Sequence, residues 1–272
     1  MSARGVLAVT AVECAKLRAQ SAVQGLLAAC LVGPIALVEV VRLQTSLPED
    51  TLFGRAMRDS GFAAPLVVLG FAALWLLPVV ASVIGGDVFA SEDRHRTWTT
   101  VLTRSRSRGE VFAGKVLASL AFTAIAIAVL ALASVAAGLV LVGRQPLVDL
   151  SGALLPPARA LGGVLWAWMS VLPPAFAFVA LAVLVSVATR SGAAGVGLPV
   201  LAALTMQLCE LVDGPEIYRR LLLTSGFSAW HGLLHQHPYY RPLLDAAVVS
   251  GVWFVGCLTA AYRLLQRRDI QG

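Results

Sequence analysis

Six long stretches of the chain carry no Asp, Glu, Lys or Arg: residues 19–38, 61–86, 116–143, 160–189, 191–209 and 246–262. As helices, at about 1.5 Å of rise per residue, they cover roughly 25 to 45 Å, against a bilayer hydrocarbon core of about 30 Å. Composition points the same way. Of 272 residues, 58% are hydrophobic and 13% charged, where soluble domains carry about 25% charge. The expected fold class is therefore an all-α membrane protein with six transmembrane helices, over residues 19–43, 61–86, 116–143, 160–189, 191–210 and 246–264. Pro34, Pro65, Pro78, Pro173, Pro174 and Pro199 fall inside these stretches, where neighbouring helices can satisfy freed carbonyls, so they predict kinks and not breaks.

Six crossings put both termini on one side. With the N-terminus inside, the inner segments hold 13 basic residues and the outer ones 8. The positive-inside rule then predicts cytoplasmic termini in a plasma membrane. Topology thus accounts for the net charge of +6, and no motive remains for a nucleic-acid partner; membrane lipid is the expected surrounding. Glu13, Lys16 and Arg18 interrupt the N-terminal apolar run, which is not a cleaved signal peptide. Among 21 basic residues only Lys16 and Lys115 are lysine, a bias that fits a high-GC bacterial genome.

The whole chain, 1–272, reads as a single transmembrane domain. Residues 1–20 place Val6, Leu7, Val9, Val12 and Leu17 among charges, the pattern of an amphipathic helix along the inner surface. Residues 210–245 are apolar yet too charged to cross, and predict short interfacial helices at the outer side. Residues 265–272 form a basic tail. Cys14, Cys30, Cys209 and Cys257 lack CxxC spacing, which predicts neither a disulfide framework nor a zinc site.

The densest polar chemistry lies between spans two and three, over residues 87–115, with Asp87, Glu92 and Asp93 at its start and an apolar face at Trp98, Val101 and Leu102. Such a segment is suited to docking on a partner protein. Gly109 to Lys115 spells most of a phosphate-binding loop. Val116 stands where such a loop needs Ser or Thr for magnesium, and the segment runs straight into a span, so nucleotide chemistry must come from another chain.

The same segment resembles the permease subunits of type-2 ABC exporters. Asp87, Glu92, Thr97, Val101, Leu102, Arg108, Gly114 and Lys115 follow the family's order of acidic start, Glu, Thr, apolar stretch, Arg turn and Gly-Lys opening of the third span. Glu13 with Lys16 is similar to the family's N-terminal interfacial helix, and Arg263 to Ile270 to its basic tail. Arg96 stands where the family usually has Gly and Ser105 where it has Pro; neither removes a charge that the motif uses. The resemblance implies a membrane half of an ATP-driven exporter, without enzymatic activity or cofactor of its own. It would pair with a second permease copy or a homologue and with two soluble ABC ATPase subunits, which would bind ATP and Mg. Asp87, Glu92, Thr97, Arg108 and Lys115 would couple the chain to the ATPase. Glu92 would contact either the ATPase or the N-terminal helix, and Arg108 and Lys115 would fix the loop against span three.

Other groups carry weaker signals. His231, His235 and His237 lack a carboxylate or Cys at helical spacing to complete a metal site, and read as interfacial residues. Glu39 and Arg42 suit a pair at the end of span one. Gln24, Thr123, Ser134, Ser170, Thr205 and Gln207 are too few and too neutral for a proton relay. Ala193 and Gly197 are small residues four apart, which permit close helix packing within the chain or against the second permease half. The apolar spans favour a lipophilic or amphipathic cargo. Two other classes fit the same composition: an accessory membrane anchor or regulator, and a stand-alone secondary transporter.

Overall fold

The computed structural model describes residues 2–43, 53–95, 107–212, 216–235 and 238–267. Among them six helices are long and apolar enough to cross a membrane. A separate helix, α1 (Ala3–Ala19), precedes them. The Ser2 side chain caps it by accepting from the Gly5 N–H, and Gln20, in extended conformation, separates it from α2 (Ser21–Leu43). The second span is composite: α3 (Ala63–Phe71), a π-helical turn (Ala72–Leu76) and α4 (Leu77–Gly86), followed by the short α5 (Ala90–His95).

The third span, α6 (Arg108–Leu141), begins well before the charge-free stretch that starts at Val116. Its start is fixed by a capping box: Ser107 Oγ accepts from the Glu110 N–H while the Glu110 carboxylate accepts from the Ser107 N–H. The fourth span is α7 (Pro157–Ser170) and α8 (Leu172–Thr189), divided at Val171 because Pro173 and Pro174 fit only the first turn of a new helix. Arg190, in the left-handed conformation at φ 57°, ends α8, and Ser191 caps α9 (Gly192–Glu210). Two-residue strands, Leu147–Val148 and Leu154–Leu155, pair antiparallel at the end of the bundle away from α1. At that same end, α10 (Glu216–Leu221) and a 3-10 segment (Thr224–Leu233) lead into the last span, α11 (Arg241–Gln266).

Burial orders the bundle. The most apolar windows of the second and fourth spans are each 61% buried, against 22%, 17% and 11% for the first, fifth and sixth. Helix α8 packs on α11, α4 and α9, while α6 carries α1, α2 and α3. Spans one, five and six present apolar side chains outward, among them Val32, Leu201 and Val252, as a lipid-immersed chain requires.

The fifth span meets the second backbone to backbone. A Cβ added at Gly86 would stand 2.5 Å from the Gly195 carbonyl carbon, so glycine alone lets α4 and α9 come this close. Gly197, two residues on, has nothing within 4 Å of such a Cβ. Gly195→Ala is therefore expected to lower the melting temperature of the detergent-purified chain, at a cost of about 1–3 kcal/mol from overpacking. Gly197→Ala should leave it unchanged or raised, since alanine favours the helix by about 1 kcal/mol.

Candidate functional site

Four of the charged residues named from sequence converge at the α1 end of the bundle. Lys115, about two turns beyond the capped start of α6, is 1% exposed at its side chain. Its ammonium donates to Glu13 Oε2 at 2.9 Å, to Glu92 Oε1 at 2.9 Å and to the Val88 carbonyl at 3.0 Å. Three donors thus meet three acceptors, drawn from α1, from α5 and from the turn between α4 and α5. The ring of Phe89 lies 5.7 Å from the same nitrogen.

Lys16 completes the group from the solvent side. It donates to Glu13 Oε1 at 2.9 Å and to Glu92 Oε1 at 2.8 Å, with its own side chain 45% exposed. Partial burial works against its charge, but the hydrogen bonds to Glu92 and Glu13 prevail and hold its pKa above the ordinary lysine value. Two ammonium groups and two carboxylates give a formally neutral cluster, so each buried charge has an opposite one at contact distance.

Neighbouring contacts extend this block. The Ala90 N–H, at the start of α5, donates to Ser186 Oγ on α8 at 3.1 Å. Glu110 also accepts from the Ser2 N–H at 2.7 Å, tying the start of α1 to the start of α6. A Cβ at Gly114 would lie 2.6 Å from Val9 Cβ, so this glycine lets α1 lie flat on α6. Phe89, Phe112 and Tyr262 form an aromatic row, with centroids 5.6 and 5.2 Å apart, that reaches α11.

The other named residues occupy different places. Asp87 pairs with Arg94 at 2.9 Å and lies against Gly192, where the N-terminal end of α9 favours a negative charge. Arg108, the first residue of α6, donates to the carbonyls of Leu265 at 3.4 Å and Gln266 at 2.9 Å, satisfying the last turn of α11. Ala193 and Gly197 face outward on α9. Thr97, Arg96, Val101, Leu102, Ser105 and His237 lie outside the described residues. Among the described residues no cluster of three His, Cys, Asp or Glu could hold a metal ion. Glu110 and Ser2 are not among the residues expected from the sequence, although Ser107-Arg108-Gly109-Glu110 is a capping-box signature.

A model of the ABC-2 family of transporter proteins matches residues 10–205. The chain belongs to this family. The matched range opens inside α1 and closes inside α9, so it contains all four members of the charged cluster. Family membership makes the chain a membrane transport component and implies partnership with ABC ATPase subunits. A comparison with curated proteins found no match.

The cluster generates a test of its own. Lys115→Met leaves buried carboxylates short of a cation and should cost about 3–5 kcal/mol, whereas Lys16→Met, at the exposed edge, should cost about 0–1 kcal/mol. In a double-mutant cycle read by thermal melting, Glu92→Gln should be markedly less damaging in the Lys115→Met background than alone. Strict additivity of the two changes would mean that the pair is not energetically coupled.

Proposed function

We propose that this chain is the permease subunit of a bacterial ABC exporter. It forms half of the translocation pathway, with a second copy or a homologous permease as the other half, and works with two soluble ATPase subunits that bind ATP and Mg. Both termini face the cytoplasm, and the segment between spans two and three, with Asp87, Glu92, Thr97, Arg108 and Lys115, is the coupling region. Its cargo is lipophilic or amphipathic.

The observation that carries this reading is the charged cluster within a chain of the ABC-2 family. Lys115 joins α1, the turn after α4 and α6 through one ammonium group. A push delivered to the segment after the second span therefore reaches the first helix and the third span together, as mechanical coupling to an ATPase needs. A stand-alone transporter has no use for such a junction beside a charged docking segment.

The experiment is to tag the chain, extract it from native membranes in mild detergent and identify what co-purifies. A stoichiometric soluble subunit with a complete phosphate-binding loop is expected. Its retention should fall on Trp98→Asp with Leu102→Asp, two residues of the apolar face of the segment after the second span. A chain that purifies without such a partner, from a preparation in which other membrane complexes remain intact, would refute the permease reading.

A further inference from the structure

At the end of the bundle away from α1, a partly enclosed cavity of ≈ 510 Å³ lies between α3, the π-helical turn, the end of α9 and the 3-10 segment. Its size falls within the range of about 300–1,000 Å³ typical of small-molecule sites. Phe53, Phe71, Phe227 and Trp230 supply aromatic wall, with Phe53 stacked on Trp230 at 6.4 Å between centroids. A Cβ added at Gly70, also in the wall, would meet nothing within 4 Å, so the space in front of this glycine is open.

The polar groups of the cavity wall are Gln207, Glu210, Thr224, Ser228 and His231, and Glu210 is the carboxyl group among them. The Gln207 side-chain amide donates one of its two N–H groups to the Leu74 carbonyl inside the π-helical turn. The Thr224 hydroxyl donates to Glu210 Oε1 at 2.5 Å, and this is the one donor that Glu210 has among the described residues. Among the described residues the wall contains no Lys or Arg. His231 does not supply a cation either: burial first, and the nearby His235 second, hold its pKa below the ordinary histidine value despite a hydrogen bond with the Ser228 backbone. The cavity thus offers a carboxyl group and aromatic faces, both of which attract positive charge, and among the described residues no built-in counter-ion.

We propose that this cavity binds a lipophilic monocation, its apolar body against Phe71, Phe227 and Trp230 and its positive centre toward Glu210. As a station on the route of the cargo, this rests on the permease reading and narrows the cargo class to cationic amphiphiles; as a binding site it does not depend on that reading. A bound cation recovers the cost of holding a carboxylate in apolar surroundings, and it favours the ionised form of Glu210 on arrival. A neutral or anionic molecule of the same shape gains the aromatic contacts alone.

The full chain in phosphatidylcholine nanodiscs is tested by equilibrium dialysis with tetraphenylphosphonium and tetraphenylborate, which share a shape and differ in the sign of their charge. Binding to empty discs is subtracted. Saturable binding of the phosphonium is expected, with Glu210→Gln weakening it about tenfold or more and abolishing the preference over the borate. The substitution keeps an acceptor for Thr224, so the fold has no reason to change. Gly70→Leu, which fills open space, should remove the site for the phosphonium, while Gly70→Ala should retain it; melting temperatures of all three variants should match the parent.

Three results would overturn the proposal: no binding above empty discs, binding unchanged in both Glu210→Gln and Gly70→Leu, or loss in Gly70→Leu with none in Glu210→Gln. Neither ATP nor an ATPase enters this measurement. Its failure therefore leaves the permease reading to the co-purification result, and failure there leaves the site intact.

Discussion

A lysine ammonium deep in a membrane protein is tolerated only when all three of its N–H groups are satisfied and its charge is balanced. Lys115 meets both conditions with acceptors distant in sequence, on α1, on the turn after α4 and on α5. Remove any one of those elements and the ammonium loses one of its three partners. The placement of α1 along α6, the direction in which the chain leaves α4, and the formation of the short α5 are for this reason parts of one arrangement. Ser2 with Glu110, Val9 with Gly114 and Ala90 with Ser186 then fit around it as secondary ties.

The six spans were legible in the sequence because the bilayer imposes a simple rule: every backbone group must be satisfied within a helix, and no unbalanced charge survives in the middle. The rule misplaces the start of α6 for an equally simple reason. Glu110 and Lys115 are charged yet belong to the helix, since their partners lie on other elements that a charge count along the chain does not see. Glu13, Lys16, Glu92 and Lys115 could each be singled out by resemblance to a family, which also offered the N-terminal helix as one partner of Glu92; that Lys115 joins Glu13 to Glu92 could not be read. Glu13 and Lys115 are 102 positions apart, Lys16 and Glu92 76.

Spacing without direction also limits what small residues reveal. Ala193 and Gly197 show the four-residue interval of a close helix contact, yet the residue pressed against the second span is Gly195, two positions out of phase with them. An interval of four is the same on every side of a helix. The π-helical turn at Ala72–Leu76 has no composition that marks it; it becomes visible only when Gln207 reaches the Leu74 carbonyl from another span. Glu210 and Thr224 likewise acquire meaning from the 3-10 segment folding back over the end of α9.

The contact between Gly86 and Gly195 brings two main chains together with no side chain between them. Side chains in a helix interface act as spacers that can change rotamer and let the helices slide; here that layer is missing. Sliding α9 along α4 would drive carbonyls into one another, whereas rotation about the contact disturbs little. The crossing point is thus a fulcrum near the α1 end, and any change in the angle between the second and fifth spans is smallest there and largest at their opposite ends. Gln207, near the far end of α9, meets Leu74 half-way along the second span.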